Sequence, residues 1–267
     1  MLRRVVANIR RQDWTAVVVE LAVVVIGVFL GVQAANWNED REKDRKSVEF
    51  TARLKDDLRV EAWNYEFQIE YNKQVLANAQ RAVDALTGKA PLADEALLIA
   101  AYRATQLNVN SRRRATYDEL TSTGEISLIR DQGLRTLAID VYTLPVVDQI
   151  ERDGRQSEYR RAFRMAFAYE IQRALAEKCG DHNVLVGDYA GIATALDYPC
   201  STGLAPDAIA AGAATLRKDP KFVELLQLRM ADIATDLGNM TDYFAPYMRG
   251  PLQNLREPLQ RLAKEKR

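Results

Sequence analysis

From Ala16 to Ala35 the chain is apolar, and Glu20 and Gln33 are its strongly polar side chains there. A helix of about 20 residues covers the roughly 30 Å hydrocarbon core of a bilayer. Trp14 and Trp37 bracket the run where indole rings favour a membrane–water boundary. The pattern predicts a transmembrane helix over 14–37. Next, "NWNEDREKDRK" lacks any aliphatic side chain and reads as part of a charged helical stalk over 38–49, with i,i+4 pairs such as Glu39–Lys43 and Glu42–Lys46. Apolar positions then return at heptad spacing: Ala62, Tyr65, Ile69, Asn72, Leu76, Ala79, Val83 and Leu86. Gly88 and Pro91 end that helix.

Further helices are expected over 93–107, from Ser111 as N-cap to Gly124, and from Asp131 to Lys178 with a bend or break at Pro145. Another runs from Pro206 to Arg217. A long one follows Asp219-Pro220 with Phe222, Leu225, Leu226, Arg229, Ile233 and Leu237 on its apolar face. Pro246, Pro251 and Pro258 punctuate the tail, which closes on the polar "RLAKEKR". Period-two alternation is nearly absent. The fold class is therefore all-α: a transmembrane helix continuing into a long helix, then an extracytoplasmic helical bundle over 50–267.

Charge and composition narrow the function. Lysines and arginines number 37 against 37 acids, so no global field points to nucleic acid. One histidine and two cysteines leave little material for metal clusters or nucleophilic triads. A Gly-rich phosphate loop, G-x-S-x-G and H-E-x-x-H are all absent from the sequence. The reading is a protein that is not an enzyme and needs no cofactor or metal.

Compartment follows from two features. Arg3, Arg4, Arg10 and Arg11 favour a short cytoplasmic segment over 1–13, although Arg41, Lys43, Arg45 and Lys46 flank the other end. Cys179 and Cys200 bound "CGDHNVLVGDYAGIATALDYPC", a loop whose closure by a disulfide needs an oxidising compartment. Together they predict a cytoplasmic N-terminus and a bundle outside. The same basic residues, with Val32-Gln33-Ala34 as a cleavage site, leave a cleaved secreted protein as an alternative.

Inside the span, Glu20 is the residue to explain. At about 100° per residue, Glu20, Gly27, Gly31, Ala34 and Ala35 share one helix face, and Gln33 points away. Gly27 and Gly31 form a G-x-x-x-G groove that lets helices approach closely in lipid. A central acid costs about 2.5–3.5 kcal/mol to insert, and Glu20, near Trp14, sits off-centre and costs less. A partner helix, from another membrane protein or a second copy, would offset that cost; so would reach toward the headgroups.

Two stretches carry a resemblance. Glu20, Ile26-Gly27, Gln33 and Asn36-Trp37-Asn38-Glu39, then Tyr117, Glu119-Leu120, Ser122, Gly124 and Leu128-Ile129, resemble a family of uncharacterised bacterial single-pass membrane proteins, classed only as a domain of unknown function. Ala35 departs from the pattern, where Asn is more usual, and the cysteine loop is not part of it. The resemblance implies an N-terminal anchor in a bacterial inner membrane and a periplasmic helical domain, and it implies no activity.

Other candidates have structural readings beside functional ones. Arg112, Arg113 and Arg114 would occupy a first helical turn, against the helix dipole, so they are a possible anion or partner patch; pairing with acids of neighbouring helices is the alternative. Asn72 either sets register between chains or bonds within the bundle. Thr121 to Glu125 reads as a C-cap with Gly124 left-handed, or a binding loop. Cys179, His182 and Cys200 with Asp181 make a weak zinc pattern beside the disulfide. Two functions stand: a membrane-anchored interaction or scaffold protein, and a helical bundle sensing a small anion. Thirteen residues ahead of the span are too few for a signalling output, which favours the first.

Overall fold

A computed structural model describes residues 14–109 and 111–256. The basic residues Arg3, Arg4, Arg10 and Arg11, the whole of 1–13, the Trp14 ring, Pro258 and the polar tail lie outside what is described. Every regular element in the described residues is helical, and none is a strand. The chain divides into two compact units, 1–51 and 52–267.

Helix α1 (Trp14–Leu86) runs through both. In the first unit its residues 18–45 are exposed on every side. In the second it is the core element: Glu61, Ala62, Trp63, Asn64 and Tyr65 are all buried in succession, so no face remains for solvent there. The heptad seam lies inside this bundle, with Ala62, Tyr65, Ile69, Asn72, Ala79 and Val83 buried. Asn72 turns inward too, its Nδ2 donating to the Gln68 backbone oxygen at 2.8 Å. It therefore bonds along its own helix, as a buried amide must.

Polar side chains on α1 hold loops by their backbones. Gln74 Nε2 donates to Ile192 O at 2.8 Å, and Gln74 Oε1 accepts from the Leu196 and Asp197 N–H groups at 2.9 Å each. Tyr65 Oη donates to Met240 O at 2.8 Å. α1 stops at Gly88, whose φ of 78° suits glycine.

Around it come α2 (Asp94–Arg103), α3 (Ala115–Ser122) and α4 (Gln132–Thr143). Then follow α5 (Val146–Gln156), α6 (Glu158–Ala166) and α7 (Tyr169–Cys179). After the cysteine loop come α8 (Pro206–Lys218), α9 (Lys221–Gly238) and the short α10 (Arg249–Gln253). Gly212 of α8 lets it sit against α2: a Cβ there would lie 3.3 Å from both Leu98 methyls. The main core joins Leu97 and Leu98 of α2 to Phe163, Leu175, Leu216 and Phe222.

The region from Asp131 to Lys178, expected as a helix bent or broken at Pro145, is four helices. Pro145 ends α4, and Leu144 before it is extended with ψ 128°. Ser157 then caps α6, its Oγ accepting from Arg160 N. Phe167 is extended, and Gln172 Nε2 reaches back to Arg164 O and Phe167 O at 3.0 and 2.7 Å. Those carbonyls would otherwise be orphaned by the break. Gly124 caps α3 with φ 72°, and Glu125 N–H donates to Leu120 O at 2.8 Å, a Schellman closure.

Candidate functional site

The first candidate is the apolar face of α1. Glu20, Gly27, Gly31, Ala34 and Ala35 are all exposed. A Cβ added at Gly27 or Gly31 would meet nothing within 4 Å, so the groove is open. Val18, Leu21, Val25, Phe29 and Leu30 are exposed beside it. Among the described residues this is the one helix long and apolar enough to cross a membrane, and none of its apolar window is buried. Past it, Arg41 places its guanidinium 4.1 Å from the centre of the Trp37 ring. Lys43 Nζ lies 2.6 Å from Glu39, which lowers the carboxyl pKa and raises the lysine's through their hydrogen bond. Both are exposed, so the pair is a minor contributor.

The arginine triplet falls elsewhere than expected. α3 begins at Ala115, and the arginines precede it instead of forming its first turn. Two acids of α1, one turn apart, impose this. Glu61 accepts from Arg112 Nε at 2.6 Å and from Arg113 N–H at 2.7 Å, and Asp57 accepts from Thr116 N–H at 3.4 Å. The carboxylates thus occupy the positive end of α3. Arg112 has every nitrogen engaged: Nη1 donates to Asp148 at 3.0 Å and Nη2 to Val141 O at 2.7 Å. Arg113 is exposed, and Arg114 pairs with Asp118 at 2.9 Å. Arg112 and Arg114 are thus committed to different acids.

The cysteines do come together. Cys179 and Cys200 are bonded, their Cα atoms 5.5 Å apart. The other zinc candidates part from them. His182 stacks on Tyr198 at 3.6 Å, and Asp181 accepts from Tyr71 Oη at 2.7 Å. Burial raises the Asp181 pKa. No group of three or more metal-ligating side chains stands together among the described residues.

Sequence reasoning missed the residue that fastens this loop. Arg103, only 3% exposed, donates through Nε to Cys179 O at 3.0 Å and through Nη2 to Tyr198 O at 2.9 Å. Its guanidinium lies 4.6 Å from the Tyr198 ring centre. Burial lowers its pKa, and Asp197, 3.5 Å from Nη1, opposes that. The one trace in the sequence is a lone cation closing the apolar run Leu97–Tyr102.

Among the described residues the geometry defines an all-helical fold with an exposed apolar N-terminal helix and a bundle stapled by a disulfide. Residues 20–146 are similar to a family of unknown function, DUF6090. The matched stretch takes in the exposed face of α1 and the Glu61–Arg112 pair, and stops before the disulfide loop. No curated protein and no solved structure matches the chain.

Proposed function

We propose that this protein is a single-pass membrane-anchored interaction or scaffold protein, whose α1 segment binds a partner helix in a bacterial inner membrane. One observation carries the reading: the apolar window of α1 is wholly exposed while Glu20, Gly27 and Gly31 lie open on one face. Apolar surface on that scale needs lipid or protein to cover it. The small-residue groove suits close helix contact, and an acid there gains from a polar partner in hydrocarbon. The Cys179–Cys200 bond supports a bundle in the periplasm, where disulfides persist.

The test is crosslinking in native membranes with mass spectrometry, on wild type and Glu20→Leu. A membrane protein or second copy captured by wild type and lost in the variant supports the reading. An identical set from both, or none, removes Glu20 as the recognition element. Intact mass of the membrane-bound chain distinguishes an anchor from a cleaved secreted protein: loss of the segment through Ala34 would end the anchor reading.

A further inference from the structure

A cavity of about 440 Å³ opens where α6 and α7 meet the C-terminal end of α2, within the size range of small-molecule sites. Several carbonyls around it are already occupied. Thr105 O takes Arg160 Nη1 at 2.6 Å, and Gln106 O takes Arg229 Nη2 at 3.2 Å. Tyr102 O takes Thr105 Oγ1 at 2.6 Å, and the Arg164 and Phe167 carbonyls take the Gln172 amide.

Its donors are in surplus. Arg160, Arg164 and Arg173 all line the cavity. Arg160 uses Nη1 on Thr105 O, and its pKa is lowered by burial and then by the charge of Arg164. Arg164 is exposed and, among the described residues, pairs with no acid. Arg173 meets Glu177 only at 3.9 Å. Asp181, the acid whose charge reaches Arg160, already accepts from Tyr71. Arg160 and Arg164 thus line the cavity with no acid bridged to either among the described residues.

The remaining wall is aromatic: Tyr102, Phe163 and Tyr169. Tyr169 is 72% exposed, a large ring held at the mouth without cover. Planar guanidinium forks match a carboxylate in two-point contact. Aromatic rings favour a flat apolar body.

We infer that this cavity binds a small aromatic monocarboxylate, its carboxylate held by Arg164 and Arg160 and its ring packed against Tyr102 and Tyr169. Its arginines lie beyond the residues that match the family, while Tyr102, Thr105 and Gln106 fall within them, and the inference goes beyond the proposed anchoring role without depending on it. It also places anion recognition away from Arg112, Arg113 and Arg114.

The test is isothermal titration of the full-length chain in lipid nanodiscs, with empty nanodiscs as blank. The probes are benzoate, phenylacetate, the neutral benzyl alcohol and inorganic phosphate. Wild type should bind at least one of the two carboxylates saturably, and benzyl alcohol much more weakly. Arg164→Gln, an exposed position where folding is not at stake, should weaken carboxylate binding about tenfold, the loss of one charge-assisted hydrogen bond. Arg161→Gln, exposed on α6 and outside the cavity lining, should leave binding unchanged. Absence of saturable binding by both carboxylates overturns the inference, as does equal binding of the alcohol or equal effects of the two variants. Phosphate binding as tightly as the carboxylates, with the same loss in Arg164→Gln, overturns the assignment of an aromatic ligand.

Discussion

Arg112 Nε lies 2.6 Å from Glu61 Oε2, and Glu61 is 3% exposed. One carboxylate on α1 therefore holds both a guanidinium and the backbone leading into α3. Removing one partner of a buried pair strands the other's charge, which costs far more than the intact pair contributes.

Glu61→Gln should accordingly destabilise the bundle by about 3 kcal/mol. Arg114→Gln should change stability by about 0.5 kcal/mol or less, because the Arg114–Asp118 pair is half-exposed. Thermal unfolding of the full-length chain in detergent, followed by circular dichroism, gives both values. For a domain this size the first amounts to a drop of roughly 6–12 °C. Equal midpoints for the two variants would refute the structural role assigned to Glu61.

The disulfide is the second testable element. Cys179 and Cys200 are 21 residues apart, and closing such a loop stabilises by about 3 kcal/mol in the chain-entropy model. Reduction, verified by thiol titration, should lower the melting midpoint, and Cys200→Ser should reproduce the shift. Arg103 should then lose its fixed acceptors at Cys179 and Tyr198. A midpoint indifferent to verified reduction would contradict this.

Asp236 sets a pH dependence of uncommon sign. Burial raises its pKa from 3.8 to about 6, with Asp153 adding and Arg229 opposing. The folded state thus takes up a proton more readily than the unfolded state. Stability contributed by this group is lost as pH rises from about 4 through about 6, and recovered on acidification across the same window. Its magnitude is on the order of 2–3 kcal/mol at neutral pH. Asp236→Asn should raise stability at pH 7 and flatten the pH profile between about 4 and 6. Melting curves across that window check it; a variant with an undiminished slope would assign the dependence to other groups.

How far the fold could be read from the chain differs element by element. Terminators with strong local chemistry were legible: Gly88, the Gly124 cap and Pro206 mark real helix ends. The breaks at Ser157 and Phe167 were not. No glycine or proline stands at either, and the turns close through Arg160 N and the Gln172 side chain. The start of α3 was misplaced for a similar reason. Ser111 has the right residue type for a cap, but Asp57 and Glu61 reach in from more than fifty residues away and hold the backbone at Thr116 and Arg113.

The sequence by itself determined what rests on local pattern: an all-helical chain, an apolar segment of membrane-spanning length, and a cysteine pair able to close a loop. Period and composition act within a few turns of helix, so they can be read one residue after another. Only the tertiary structure decided which charges meet. It committed Arg112 to Glu61, set Arg103 over the disulfide loop, and gathered Arg160, Arg164 and Arg173 around one cavity. Burial makes those choices, because a charge removed from water must find its partner wherever the fold has placed one.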